Sequence, residues 1–136
     1  MSMEKPMNIF DIAGRAMSAQ LVRLNATASN LANAGSVSGN ENQAYRAIRP
    51  VFSTIVEKPG VATVKVDKVV TSDTPATRRH DPGHPLADAN GDVWEAGVDS
   101  SAELVEMVES ARMYQNNVQV IQTAKSLLLE TIRLGK

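Results

Sequence analysis

The side chains with most potential for chemistry in this 136-residue chain stand in one short run, His80-Asp81-Pro82-Gly83-His84-Pro85, with Asp88 close behind. Imidazoles and carboxylates at such spacing suit zinc or a similar ion. A helical arrangement of these ligands is forbidden by Pro82 and Pro85. The run therefore reads as a turn shaped by proline and glycine. A small hydrolase using His80 and Asp81 is the catalytic alternative, but no serine lies in a nucleophile-elbow pattern. Gly35 and Gly39 flank a loop without the lysine or helix start that a phosphate cradle needs. The chain has no cysteine, so disulfides, thiolate metal sites and cysteine nucleophiles are excluded. These residues imply no catalytic centre, no metal and no cofactor.

The composition is that of packed helices. Fourteen Lys and Arg face fifteen Asp and Glu, a net charge of -1, so no global field draws in nucleic acid or an anionic membrane. Only two Phe, two Tyr and one Trp are present, and the apolar content comes from the residues that pack helices. The first twenty residues include Glu4, Asp11 and Arg15 and lack the apolar run of a signal peptide. No stretch reaches membrane-spanning length, so no direct membrane insertion is expected.

The elements that must position everything else are two terminal helices. From Phe10, apolar and small residues recur as Phe10, Gly14, Met17, Leu21, Leu24, Ala28 and Leu31, the alternating spacing of a coiled-coil seam. Asn8 with Asp11 marks the start, and Asn33-Ala34-Gly35 the end, with Gly35 suited to a left-handed position. The second helix is predicted to open at Ser100 with a capping box to Glu103 and to run to Leu134 before Gly135. Its seam is Leu104, Met107, Ala111, Tyr114, Val118, Ile121, Lys125, Leu128 and Ile132, in which Lys125 is the one violation and Ala124 carries the stripe past it.

Between the helices, 45–56 and 61–70 are rich in β-branched residues and read as strands; Pro50 makes the first an edge or bulged strand. Val64 and Val66, then Lys68 or Val69, alternate in the second. Residues 36–43 and 79–91 read as loops. The expected fold is α+β, with two long terminal helices packing as an antiparallel coiled coil around a small β-rich insert. The segments are 1–35 and 99–136 for the helical part and 36–98 for the insert. Seams longer than the insert can cover leave apolar surface for partners.

Two separated stretches resemble a known family. Ala16-Met-Ser-Ala-Gln20-Leu-Val-Arg23-Leu24-Asn25 followed by Ala28-Ser-Asn30-Leu-Ala-Asn33, and Glu109-Ser-Ala-Arg112-Met-Tyr114-Gln-Asn116-Asn117-Val118 near the other end, are similar to the helix signatures of flagellar axial proteins of the rod and hook. Tyr45-Arg46-Ala47 and the run from His80 to Asp88 resemble the proximal-rod members. The family often has Pro-Asn before Val-Asp, where this chain has Ala96-Gly97 before Val98-Asp99.

The resemblance implies a structural subunit of the rod, exported by the flagellar type III apparatus without a cleavable signal peptide and packed helically in the periplasm. Implied partners are further copies, other rod proteins and the adjoining export-gate and ring-to-rod junction proteins. A coiled-coil adaptor or a secretion accessory protein that stops at a discrete complex is the alternative. Gln115, Gln119, Gln122 and Ser126 form an uncharged stripe within a stretch, 113–124, that holds no Lys or Glu. With the family placing this helix at the channel, the stripe is expected to border the export lumen. Arg23 and Arg112, each inside a matched motif, are expected to form ion pairs between subunits.

Overall fold

A computed structural model describes residues 8–135. The first seven residues, part of the stretch read for a leader, and residue 136 lie outside the described residues. The chain runs α1 (Ile9–Asn33), β1 (Val37–Ser38), a 3-10 turn (Glu41–Gln43), β2 (Ile48–Lys58), β3 (Val61–Thr71), β4 (Thr77–His80), β5 (Asp92–Glu95) and α2 (Ser100–Leu134). The fold is α+β, two long helices with a β region between them.

α1 starts where its sequence indicates. The Asn8 side chain accepts from the Asp11 backbone N–H at 3.0 Å, and the Asp11 carboxylate accepts from the Asn8 N–H at 3.1 Å. Its end differs from expectation. The capping residue is Ala34 in a right-handed conformation, and the positive-φ glycines among the described residues are Gly60 and Gly91, not Gly35. Ser36 accounts for this by donating to the Asn33 carbonyl from both its N–H, at 3.0 Å, and its hydroxyl, at 2.7 Å. With that carbonyl satisfied, no left-handed residue is required.

The start of α2 also corrects the sequence reading. The N-cap is Asp99, whose Oδ1 accepts from the N–H groups of Ser101 and Ala102. Glu103 is then too far into the helix to close a box. Its side chain turns inward and is completely buried.

β2 and β3 form an antiparallel hairpin of two 11-residue strands. Pro59-Gly60 joins them, and Gly60 at φ 81° suits the third position of a type II turn. Pro50 is accommodated on both counts expected of it: a two-stranded ribbon has only edges, and the register shifts just beyond it between Val51 and Phe52. A second sheet, ordered β1-β5-β4, was not foreseen. It takes β1 from the first predicted loop and most of β4 and β5 from around the second. The strands are short and β4 is exposed throughout, so no run of alternating residues announced them.

The core of this region is made of small residues: Ala44, Ala47, Ala76 and Ala96 are buried, as is Val93 on β5, which is fully so. The Ala96-Gly97 step belongs to it. Gly97 N–H donates to the Tyr45 carbonyl at 2.9 Å. A Cβ on Gly97 would stand 2.6 Å from the Thr74 carbonyl oxygen and 3.0 Å from that of Pro75. The approach of the chain to α2 is thus fixed by backbone contact that only glycine permits.

Candidate functional site: the helix faces and the node that sets them

One buried polar node fixes α1, α2 and the hairpin relative to each other. Asn30, fully buried on α1, uses its whole side-chain amide. Its Nδ2 donates to the Ile48 carbonyl at 3.0 Å and to Glu103 Oε2 at 3.1 Å, while its Oδ1 accepts from Ile48 N–H at 2.8 Å and the Tyr45 hydroxyl at 2.9 Å. Arg49, at the base of β2, forms an ion pair with Glu103 Oε1. That oxygen lies against the guanidinium without accepting an aligned hydrogen bond, so charge compensation is its main support. Arg23 adds a second tie, with Nε 3.3 Å from Glu106 and its guanidinium 4.9 Å from the centre of the Phe52 ring.

These contacts order the helices. Asn30 meets Glu103, whereas the earlier Arg23 meets the later Glu106, so the contacts run in opposite senses along α1 and α2. The surface that α1 buries is made of Ala13, Ala19, Ala26, Thr27 and Asn30, small and polar residues. It is rotated from the stripe of Phe10, Met17, Leu21, Leu24, Ala28 and Leu31. In the chain alone Leu21 and Ala28 are exposed and the other four are half-buried. On α2 the middle of the predicted stripe, Met107, Ala111, Tyr114, Val118 and Ile121, is half-buried beside the fully buried Glu103 and Ser110, whereas Leu104, Leu128 and Ile132 are exposed.

The two helices differ in length, 25 residues against 35. With Asn30 level with Glu103 and a rise of about 1.5 Å per residue in both helices, the described part of α1 reaches only to about Ala124. Beyond that level every α2 residue from Lys125 to Leu134 is exposed. Leu127, Leu128, Leu129, Ile132 and Leu134 are among them, the last at 82%. No helix of the described residues is long and apolar enough to cross a membrane.

Gln115, Gln119, Gln122 and Ser126 are all exposed on α2, and the Ser126 hydroxyl donates to the Gln122 carbonyl at 3.1 Å. Arg112 is exposed, with no carboxylate at ion-pair distance among the described residues. Arg23, expected to pair between subunits, has its partner Glu106 within the same chain. The run from Asp81 to Pro85 is a tight turn: His84 N–H donates to the Asp81 carbonyl, and His84 Nδ1 accepts from Leu86 N–H at 3.0 Å. His80 pairs instead with Asp92, Nδ1 to Oδ1 at 2.8 Å, so the two imidazoles are committed to separate partners. Asp88 Oδ1 accepts from Asn90 and Asp92 N–H groups, which shapes the turn through Gly91 at φ 77°.

Sequence reasoning missed the node. Asn30 was visible only as part of a motif, Arg49 as one of several strand residues, and Glu103 as a cap. The available signal was Asp99, a better N-cap one residue ahead of Ser100, which would have freed Glu103 for another role.

Residues 10–43 match the family described as flagella basal body rod protein, and residues 89–134 match the C-terminal family of flagellar basal body rod FlgEFG proteins. Both helices therefore carry the marks of flagellar basal-body rod proteins. Over 132 residues, 96% of this chain and 98% of the relative, the sequence is 49% identical to flagellar basal-body rod protein FlgC of Salmonella typhimurium. It is 47% identical to that of Yersinia enterocolitica over the same shares, and 36% identical over 133 residues to that of Buchnera aphidicola. The chain belongs to the FlgC family of flagellar basal-body rod proteins. Membership of a family of structural rod proteins leaves no place for the hydrolase reading of His80 and Asp81.

Proposed function

We propose that this chain is a structural subunit of the proximal rod, assembling helically through α1 and α2 to form part of the axial drive shaft and its export channel. The observation that carries the proposal is the end of α2 beyond the described part of α1, where five large apolar residues between Leu127 and Leu134 are exposed. Isolated apolar groups on a surface are ordinary, but a cluster of them at one helix end marks an interface. In this reading segments 1–35 and 99–136 pair as the antiparallel coiled coil of an inner tube, a sense supported by the opposite order of the Asn30–Glu103 and Arg23–Glu106 contacts. The insert, 36–98, faces outward.

The exposed glutamine stripe borders the lumen, where an uncharged lining avoids electrostatic trapping of unfolded chains in transit. Arg112 is the arginine left to pair with a neighbour's carboxylate, and the turn from Asp81 to Pro85 contacts an adjacent subunit. Partners are further copies, other rod proteins and the export-gate and ring-to-rod junction proteins. The chain reaches its periplasmic position through the type III export apparatus, without a cleavable signal peptide. Sedimentation over a range of concentrations tests assembly: extended oligomers, growing with concentration or on adding other rod proteins, are expected. A complex of fixed size would refute open assembly and favour the adaptor.

A further inference from the structure

α2 carries a second apolar stripe that is exposed among the described residues. Met113, Val120, Leu127 and Leu134 recur at seven-residue intervals and are exposed by 37, 41, 59 and 82%. Between them, at the fourth position of each interval, stand Asn117, Ala124 and Thr131. Asn117 Nδ2 donates to the Met113 carbonyl at 2.9 Å, and the Thr131 hydroxyl donates to the Leu127 carbonyl at 2.8 Å. The Thr131 hydroxyl thus satisfies its donor on its own helix and can be covered by an apolar partner at little cost, whereas Asn117, half-buried, has one amide N–H satisfied in the same way. At about 100° per residue, this stripe, the face toward α1 and the glutamine face divide the α2 surface into three sectors about 120° apart.

We infer that the Met113–Leu134 stripe is covered by α1 of a second copy of this chain, through the stripe of α1 that contains Met17, Leu21 and Leu24. This rests on the reading of the chain as an assembling subunit and assigns which surface meets which. Three observations select this occupant. The α1 stripe from Phe10 to Leu31 and the α2 stripe from Met113 to Leu134 have the same length, about 32 Å at the helical rise, and both have a spacing compatible with a left-handed supercoil.

Charge is the second. From Ala16 to Ala34 the single charged residue is Arg23, which Glu106 neutralises within the chain, and from Met113 to Ala124 there is none. Over those stretches the two surfaces come together without desolvating an unpaired ion.

The third is area. A strip about 32 Å long on helices about 10–12 Å across buries roughly 700 Å² in total, below the ~1,200 Å² of a stable specific pair. One such contact is weak, and a copy is held firmly only when its α1 and its α2 are both engaged. Because the two stripes differ, the contact is head-to-tail and propagates instead of closing into a two-fold dimer.

Disulfide trapping tests the pairing on full-length chain, which has no native thiol. Leu21→Cys protein is mixed in turn with Met113→Cys, Val120→Cys, Leu127→Cys and Leu134→Cys proteins at concentrations where sedimentation shows oligomers. At least one of the four is expected to give a cross-linked heterodimer in more than tenfold excess over Gln115→Cys and Gln119→Cys controls, with circular dichroism unchanged. A double variant combining Leu21→Cys with the best partner should give a ladder of multimers. Oligomers without cross-links at all four positions, or with equal cross-linking at the glutamine face, overturn the pairing but leave assembly standing. Homodimers from single Val120→Cys or Leu127→Cys chains overturn it in favour of α2 meeting α2. A chain that stays monomeric at every concentration and also on adding other rod proteins removes the assembly reading, and the pairing with it.

Discussion

Replacing Asn30 with alanine is the most direct trial of the node. The substitution removes four hydrogen bonds, three to neutral groups and one to the Glu103 carboxylate. With about 1 kcal/mol net for each neutral bond and about 2 for the charged one, the sum is about 5 kcal/mol. Tyr45 keeps a neighbour in Ser29, 3.1 Å from its hydroxyl, which lowers the figure toward about 4 kcal/mol. A domain of ordinary stability has about 5–15 kcal/mol in total, so the ratio of folded to unfolded chain should fall about a thousandfold or more. Urea denaturation followed by circular dichroism and by Trp94, the single tryptophan, reads this directly. At an m-value of about 2 kcal/mol per molar, the midpoint should drop by about 2 M with the slope unchanged. Asn33→Ala is the control. Its Nδ2 bonds only the Ser29 carbonyl of its own helix, so the change should stay within about 1 kcal/mol. A loss below about 1 kcal/mol for Asn30→Ala would refute the reasoning, because other groups or water must then support Ile48 and Glu103.

Further outcomes follow from single contacts. Asp99→Ala should cost about 1 kcal/mol in the same assay while Ser100→Ala costs almost nothing, and the reverse order would restore Ser100 as the cap. Gly97→Ala should destabilise by about 2–3 kcal/mol, because its Cβ meets backbone oxygens that cannot swing aside; thermal unfolding within a degree of the parent would contradict this. Leu127→Asp lies on exposed helix and should leave the unfolding free energy from urea within about 0.5 kcal/mol of the parent while sedimentation shows assembly abolished. Unchanged oligomers from that variant would remove the α2 surface from the interface.

The helices were legible because their signals are local and repeated: Asn8 with Asp11 at one start, a spacing of three and four along both, and Gly135 after Leu134. Both long strands were visible in their β-branched residues, and Pro59-Gly60 joins them. What could not be read depends on tertiary contact. The side of α1 that the fold buries carries small residues, Ala13, Ala19 and Ala26, that allow close approach, whereas a search for large apolar residues finds a stripe rotated from it. β4 and β5 are four residues each and are held by pairing, not by pattern. Glu103 satisfied a local rule as well as a distant one, and Asp99 one residue ahead of Ser100 decided between them. The sequence distances from Asn30 to Arg49 and Glu103 explain why no motif could reveal the node.

The unequal lengths of α1 and α2 have a mechanical consequence. Copies stacked along the helix direction with about ten residues of α2 projecting beyond the described α1 (about 15 Å at the helical rise) would overlap like lapped timbers instead of meeting at flush ends. Bending or twisting load would then cross each joint through uninterrupted helix, and no plane perpendicular to the axis would cut between copies without also severing a helix.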